Sequence, residues 1–282
     1  MKEIKNTLIL LRFPFSYLLM PVFLFGGYGH PDISANWILA FYILHFLVYP
    51  SSNGYNSYQD RDEGPIGGLK NPPPPNKSLF WLTAAMDILA LFLSHFISSA
   101  FLFLTVLYIL FSRAYSYRGI RLKKFTWISF FIVSFFQGTV VFLLSWLAGS
   151  QALNTLNPNQ IWAAAYAFLI LAASYPITQI YQHQSDREDG VISLSAKLGI
   201  RGTFLFSQCC FLLAYLCLFL SLNNLEQSLL YLLFNLPMLV FMLWWQKACS
   251  KDQSQANFKN TLTVSILGAT CLNLFFIYIT YF

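Results

Sequence analysis

Long apolar runs separated by short polar loops dominate the pattern along this chain. A membrane-spanning helix needs about 20 predominantly apolar residues, and nine runs reach or approach that length. They predict helices at residues 7–29, 35–56, 78–97, 99–114, 126–148, 160–181, 203–222, 226–246 and 260–281. We therefore expect an all-α, polytopic membrane protein with nine transmembrane helices, in which residues 1–282 form one transmembrane domain.

The composition agrees with this pattern and excludes an ordinary soluble domain. Hydrophobic residues make up 57% of the chain and charged residues 10%, whereas about 25% of the residues in a typical globular protein are charged. A soluble protein of this size has too little interior to cover so much apolar surface. An integral membrane protein places that surface against lipid.

All 17 Lys and Arg residues fall in segments that nine spans would place on one side of the membrane. These are the N-terminal segment and the regions near 53–77, 113–125, 182–202 and 247–259. Because cytoplasmic loops carry an excess of Lys and Arg, the pattern predicts a cytoplasmic N-terminus. It fits a bacterial inner membrane. The net charge of +6 is then an orientation signal, and we assign it no nucleic-acid role.

Two polar stretches interrupt the apolar pattern, at residues 53–63 and 181–190, and together they hold six of the 11 acidic residues. Carboxylates are costly near lipid and are kept there mainly for ions, substrates or partners. On a helix, the first stretch would place four oxygen-bearing side chains on one face: Asn53, Asn56, Asp60 and Glu63. The second would do the same with Gln182, Asp186 and Asp189.

Such oxygen-rich faces suit Mg²⁺, which binds carboxylate and amide oxygens, water and phosphate groups. Two of them in a lipid-facing bundle therefore indicate a Mg²⁺ site for a lipid diphosphate. The alternative is that both stretches are solvated helix ends with some ion pairing, and two similar ends on the same membrane face weaken that alternative.

These motifs resemble those of the UbiA superfamily of intramembrane prenyltransferases. The run Asn56-Ser-Tyr-Gln-Asp60-Arg-Asp62, with its Pro-rich continuation after Gly67, is similar to the family's first Asp-rich motif. The run from Gln182 to Gly190, followed by Ser193-Leu-Ser-Ala-Lys-Leu-Gly199, is similar to the second. Further similar points are Leu11-Arg12-Phe-Pro14 and Tyr115-Ser116, followed by Arg121-Leu-Lys123. The resemblance extends over most of the chain.

The resemblance implies a helical bundle around a central cavity and a Mg²⁺-dependent prenyltransferase in the membrane. Its substrates would be a polyprenyl diphosphate and a hydrophobic or aromatic acceptor, such as a quinone precursor or another lipid-like molecule. The implied catalytic residues are Asn56, Asp60 and Asp186. The candidate metal ligands are Asn56, Asp60, Asp62, Glu63, Gln182, Asp186 and Asp189. The candidate diphosphate contacts are Arg12, Arg61, Lys70, Tyr115, Ser116 and Lys123.

Two carboxylates that the family pattern usually has are absent. The expected positions hold Gly64 and Gln182, although Glu63 and Asp189 are near enough in sequence to substitute. The loss keeps other functions open. One is a lipid-binding or transport protein of the same fold. Another is a prenyl diphosphate hydrolase or cyclase, in which water or an internal double bond takes the place of the acceptor.

Two further titratable residues have open roles. Asp87 lies within the predicted third span, where a buried carboxylate indicates either a functional site or a hydrogen bond to another helix, for which Gln137 and Asn235 are candidates. His183 follows Gln182 and is either a base on the acceptor side or an interfacial polar residue.

Overall fold

The computed structural model describes residues 2–29, 33–149 and 156–282. Its thirteen α-helices in that part of the chain are α1 Lys2–Leu10, α2 Met20–Gly26, α3 Ala35–Tyr42, α4 Tyr49–Asp60, α5 Lys77–Ser94, α6 Ser99–Ser116, α7 Thr126–Ser134, α8 Val141–Ala148, α9 Pro158–Thr178, α10 His183–Glu188, α11 Leu194–Leu222, α12 Leu225–Lys251 and α13 Phe258–Tyr281. Within the described ranges there is no β-strand, and only an isolated pair of bonds joins Ile66 and Leu69.

Several helices are joined into longer rods by irregular turns. A 3-10 segment, Phe13–Leu19, connects α1 to α2. Two π-helical segments, Ile43–Val48 and Phe135–Val140, connect α3 to α4 and α7 to α8. In α11 the chain breaks at Gly199, whose φ of 69° is a conformation that glycine adopts without strain.

Most helix starts carry a polar cap that accepts a bond from a free backbone N–H of the first turn. Ser98 caps α6 in this way, so the predicted boundary between the third and fourth spans is confirmed, with α5 ending at Ser94. Asn157 and Gln160 form a capping box on α9. The prediction placed the seventh span at 203–222, whereas α11 begins at Leu194.

The all-helical membrane fold is confirmed, but the count of nine spans is not. Eight helical segments in the described part of the chain are long and apolar enough to cross a membrane. The predicted second span, 35–56, lies in the continuous stretch from α3 to α4, which is not among the eight. The second half of that stretch is the polar helix α4, which carries the first acidic motif.

The helices pack into one bundle with α9 against α11, α12 against α13, and α2 against α8. The largest cluster of buried hydrophobic residues includes Phe23, Phe101 and Phe275. All six of these helices contribute to it, and α12 does so only through its first half. Gly138 allows α9 to approach closely, because a Cβ at that position would collide with the backbone carbonyl of Ala167.

Helix α4 is held between α5 and α6, and its end differs from the prediction. Gly54 faces Leu11 and Thr83 so closely that a side chain there would meet both. The helix ends at Asp60, because Arg61 adopts a left-handed conformation with φ 56°. The prediction that Glu63 shares a helical face with Asp60 is therefore wrong, since Glu63 lies in the loop beyond the helix end.

A part-buried ion pair fixes α4 against its two neighbours. Asp87 on α5 accepts bonds from the Arg113 guanidinium on α6, with 2.8 Å from Nε to Oδ2. Ser51 on α4 donates to Asp87 at 2.6 Å and accepts from Arg113 at 2.8 Å. The guanidinium also lies 4.1 Å from the ring centre of Tyr55. Asp87 therefore bonds to another helix, as one interpretation predicted, but Gln137 and Asn235 are not its partners.

We expect Asp87→Leu and Arg113→Met to lower the free energy of unfolding by about 3 kcal/mol each, because either change leaves a buried charge unpaired. The double variant should recover most of that loss, since no charge then remains in the span. Thermal unfolding of the four proteins in one detergent measures this. A double variant that is less stable than both single variants would contradict the ion-pair explanation.

Candidate functional site

Both acidic motifs open onto one cavity of about 710 Å³ inside the bundle. Among the predicted site residues, nine line it: Arg12, Asn56, Asp60, Asp62, Tyr115, Ser116, Lys123, Gln182 and Asp186. The cavity therefore brings together residues that are more than 170 positions apart in the sequence, from α1 to α10. One end of it is polar and charged, and the remainder is mostly apolar.

The first motif forms one side of the polar end. Asn56 Nδ2 donates to Asp60 Oδ2 at 2.6 Å and to Ser116 Oγ at 3.1 Å. These bonds join one turn of α4 to the end of α6, and Ser52 and Ser112 add a hydroxyl pair one turn earlier at 2.5 Å. The amide oxygen of Asn56 is left free to accept other bonds or to ligate a cation.

Lys123 lies between the two motifs. Its ammonium is 2.6 Å from Asp60 Oδ1 and 3.8 Å from Asp189 Oδ2. The Asp60 side chain is only 4% exposed, so the attraction acts with little screening by water. Lys123 thus holds a position from which a positive charge reaches both acidic motifs.

The second motif is carried by the short helix α10 and its flanks. Gln182 donates from Nε2 to the carbonyl of Pro65 at 3.2 Å, which ties this motif to the loop after the first one. Burial raises the pKa of Asp186 to about 6, and the negative charges of Asp62 and Asp60 act in the same direction. Burial also raises the pKa of Asp62, and the nearby negative charge of Asp60 raises it further. The positive charge around these two carboxylates therefore does not offset the cost of burying them.

Arg12 is buried at the cavity wall by a break in the first helical stretch. Its φ of 50° ends α1 and turns the chain into the 3-10 segment. The guanidinium donates to the carbonyls of Gly67 at 3.3 Å and Asn53 at 3.1 Å, while its Nε has no partner in the described part of the chain. The cation is thus fixed beside the first motif with a donor to spare.

The structure leaves four predicted site residues out of the cavity wall. The side chains of Arg61, Glu63 and Lys70 are exposed, and none of these residues lines the cavity. Asp189 does not line it either, and its carboxylate pairs with Arg121 instead. Glu63 and Asp189 are therefore poorly placed to replace the two carboxylates that the motifs lack.

His183 faces away from the cavity. Its Nε2 lies 2.8 Å from Ser195 Oγ, and Ser195 continues the chain of bonds to Thr203 at 2.9 Å. Burial lowers the pKa of His183, and the charge of Arg187 lowers it further. A neutral imidazole that joins α10 to the start of α11 agrees with the interpretation of His183 as an interfacial polar residue.

Sequence reasoning missed the roles of Arg118 and Arg121. Arg121 is buried, bonds to the Asp189 carboxylate and donates to its backbone carbonyl at 3.1 Å. Arg118 donates to the carbonyls of Gln59 at 2.7 Å and Asp60 at 3.2 Å. The signal in the sequence is the density of cations after α6, from which only Lys123 was predicted as a site residue.

Three arginines adopt a left-handed backbone around the polar end, with φ of 50° at Arg12, 56° at Arg61 and 51° at Arg121. This conformation is uncommon for residues other than glycine and tends to occur at functional sites. Each arginine ends or starts a helical segment. The breaks let three chain segments converge where the acidic side chains lie.

The donor set at the polar end fits a hard cation that also binds an anionic ligand. Asp60 Oδ1 is buried and accepts no hydrogen bond, although Lys123 is close. Asp62 and Asp186 form no ion pair with any residue that the structure describes. In the same ranges no three His, Cys, Asp or Glu side chains lie close enough to hold a metal alone. Ligand oxygens would have to complete the coordination.

The rest of the cavity is lined by apolar and aromatic side chains. They come from the first helical stretch, from α6 and α7, and from α9, α11, α12 and α13, and include Phe15, Leu18, Tyr108, Phe136, Ile170, Phe211, Met242 and Leu272. Such walls exclude water and take up a hydrocarbon chain. Tyr115 and Tyr175 face each other near the polar end, with 2.8 Å between their hydroxyls.

Comparisons with known proteins agree with this geometry. The model of the UbiA prenyltransferase family matches residues 15–279. No curated protein matches the sequence.

Solved structures show the same fold at low sequence identity. A UbiA homologue from Archaeoglobus fulgidus, bound to DMAPP and Mg²⁺, has a TM-score of 0.71 at 17% identity and covers 98% of this chain and 99% of its own. An apo UbiA homologue from Aeropyrum pernix K1 has a TM-score of 0.64 at 15% identity and covers 96% of this chain and 98% of its own. A chain from work on digeranylgeranylglyceryl phosphate synthase in membranes has a TM-score of 0.62 at 21% identity and covers 99% of this chain and 100% of its own.

The two missed arginines make a testable pair. In Arg121→Met the second motif loses its shortest ionic contact, and we expect amide hydrogen exchange in residues 183–190 to rise about tenfold. In Arg118→Met the contacts to Gln59 and Asp60 are lost, so the increase should fall in residues 57–62 instead. Hydrogen exchange followed by mass spectrometry distinguishes the two. Exchange at the wild-type rate in both segments of both variants would show that neither arginine holds its segment.

Proposed function

This chain belongs to the UbiA prenyltransferase family, and we propose that it transfers a prenyl group from a polyprenyl diphosphate to an acceptor in the membrane, with Mg²⁺ as cofactor. The observation that carries the proposal is that Asp60 and Asp186, one from each acidic motif, line the same cavity. Homologues from Archaeoglobus fulgidus bind DMAPP or GPP together with Mg²⁺, which supports the same ligand class here.

The metal ligands we propose are the oxygens that line the polar end. Asn56 and Asp60 would serve one ion, with Asp62 beside them. Asp186 and Gln182 would serve a second. Bound Mg²⁺ neutralises a diphosphate and improves it as a leaving group. Because few carboxylates lie here, the diphosphate oxygens would supply much of the coordination.

The cations and hydroxyls of the same end would hold the diphosphate. Arg12 is buried, Lys123 is half-buried, and both are fixed by their contacts, so little reorganisation is needed when an anion binds. Ser116 and Tyr115 supply hydroxyls from the end of α6. Arg61 and Lys70, which are exposed, would act on the approaching anion at a distance.

The reaction we propose breaks the bond between the allylic carbon and the diphosphate oxygen, and both electrons leave with the diphosphate. The allylic cation is then attacked by a carbon or oxygen of the acceptor, which releases a proton to water or to the diphosphate. The aromatic faces of Phe15, Tyr108 and Phe136 can stabilise a cation nearby. The apolar walls keep water from capturing it.

For the acceptor we propose an aromatic quinone precursor or another lipid-like molecule, since the cavity is apolar beyond its charged end. The polar end also coincides with the side of the bundle that carries the Lys and Arg residues. We therefore propose that the site faces the cytoplasm of a bacterial inner membrane, as the distribution of positive charge favours.

We expect Asp60→Asn to lower Mg²⁺-dependent diphosphate release by about 100-fold or more, because a buried ligand and the partner of Lys123 are lost together. Glu63→Gln should retain near wild-type release, since Glu63 is exposed and outside the cavity. The assay uses purified protein in lipid with a series of prenyl diphosphates, with and without Mg²⁺.

The outcomes of that assay separate the alternatives. Absence of release at every chain length by the folded protein would contradict the enzyme and favour a lipid-binding or transport role. Release without any prenylated acceptor in membrane extract would indicate a hydrolase, and a cyclic hydrocarbon product would indicate a cyclase. A prenylated product that requires Mg²⁺ supports the transferase.

Gln182→Asp restores a carboxylate at a cavity position. We expect the Mg²⁺ concentration for half-maximal activity to fall about tenfold, because Mg²⁺ affinity depends on the number of ligand charges. Gly64→Asp is the matched comparison, since its Cβ would point into open space but the residue does not line the cavity. An equal effect of both changes would indicate general electrostatics and contradict ligation by residue 182.

A further inference from the structure

Three uncharged polar side chains line the cavity wall, one beside the second acidic motif and two on helices beyond it. They are Gln179 at the end of α9, Ser207 on α11 and Thr261 in the first turn of α13, and all three line the cavity. We call them the neutral wall. Each is at least nine-tenths buried, with 9%, 1% and 4% exposed.

The fold places these three residues around one buried hydrophobic cluster. Ile177, Ile180, Phe204 and Val264 belong to one cluster of buried hydrophobic residues. Gln179 lies between the two isoleucines, and Ser207 follows Phe204 by three positions. Thr261 precedes Val264 by three. Residues three apart on a helix share a face, so Ser207 and Thr261 each lie one turn along the helix face that contributes to this cluster, and the chain at Gln179 adjoins it.

The polar oxygens of the neutral wall have no partner. Gln179 Oε1, Ser207 Oγ and Thr261 Oγ1 are buried and form no hydrogen bond to any residue in the described ranges. Other polar side chains near these residues do have hydrogen-bond partners. Ser265 donates to the Thr261 carbonyl at 2.8 Å, and Gln208 pairs with Gln246 at 2.7 Å. Buried polar groups are nearly always satisfied, and those that are not call for a ligand, a water or another explanation.

The wall is also free of charge. The described residues of α9, α11, α12 and α13 that line the cavity include no Lys, Arg, Asp or Glu. The only cations on the described cavity wall are Arg12 and Lys123, and both lie at the acidic end with partners of their own. A carboxylate placed against the neutral wall would have no counter-charge, which is costly in an apolar surrounding.

We propose that the neutral wall binds the polar group of an uncharged acceptor, one that carries hydroxyl or carbonyl groups in place of a carboxylate or phosphate. Small rotamer changes would turn the three oxygens from beneath the wall toward the ligand. The inference rests on the proposed prenyl transfer and deepens it, because the acidic end selects the donor and the neutral wall selects the acceptor.

The first test fractionates a membrane lipid extract on an anion-exchange resin into uncharged and anionic pools. Each pool is incubated with the purified protein, Mg²⁺ and radiolabelled geranyl diphosphate, while diphosphate release is measured in parallel. We expect a prenylated product from the uncharged pool. A product from the anionic pool alone would overturn the proposal. Diphosphate release without product in either pool would also overturn it, but would leave ionisation intact, whereas no release would defeat the proposed function itself.

The second test uses variants of the wall. Ser207→Ala and Thr261→Val should each raise the KM for the acceptor from the uncharged pool about tenfold, the usual effect of losing one hydrogen bond of this kind. The KM for geranyl diphosphate should not change. Ser265→Ala is the control, because it removes a cavity-lining hydroxyl that is already bonded. Melting temperatures confirm that each variant is folded.

The same variants decide against the proposal if the pattern differs. Equal acceptor KM values in wild type, Ser207→Ala and Thr261→Val would show that the wall does not touch the acceptor. A rise in the KM for geranyl diphosphate would assign the wall to the donor. An effect of Ser265→Ala as large as that of the wall variants would indicate a general disturbance of the cavity.

Discussion

The cost of a charge inside a lipid-facing bundle determines how this molecule is built. A carboxylate near the site needs a cation or a ligand, and the structure shows the first solution in two ion pairs. Asp87 is paired with Arg113, and Asp189 with Arg121. Among the residues that the structure describes, Asp62 and Asp186 have no such partner, and they are held in a cavity where burial opposes their charge. Residues of the second kind are those that bound cations would stabilise.

The paired charges position the unpaired ones. Arg113 holds Ser51 and Tyr55 of α4, and one turn further along the same helix Asn56 and Asp60 reach the cavity. Arg118 holds the end of this helix through the Gln59 and Asp60 carbonyls. These arginine contacts do not themselves face the substrate. They hold the residues of the polar end in position before a ligand binds.

Much of this was accessible from the sequence, for physical reasons that also explain the misses. Apolar runs and charge asymmetry predict the helices, because the membrane imposes length and polarity on them. Glu63 was misplaced because a left-handed Arg61 ends α4 early, and nothing in the local pattern marks that break. Gln179, Ser207 and Thr261 looked like ordinary polar residues, since their common location depends on tertiary packing of three distant segments.

The most direct test of the account is a structure of the protein in lipid with Mg²⁺ and geranyl S-thiolodiphosphate, an analogue whose carbon–sulfur bond resists ionisation. The account predicts a diphosphate group between Asn56, Asp60 and Asp186, with Lys123 beside it and the geranyl chain along the apolar wall. Metal density should contact oxygens of both motifs. An analogue bound outside the cavity, or bound equally well without Mg²⁺ and away from Asp60 and Asp186, would contradict it.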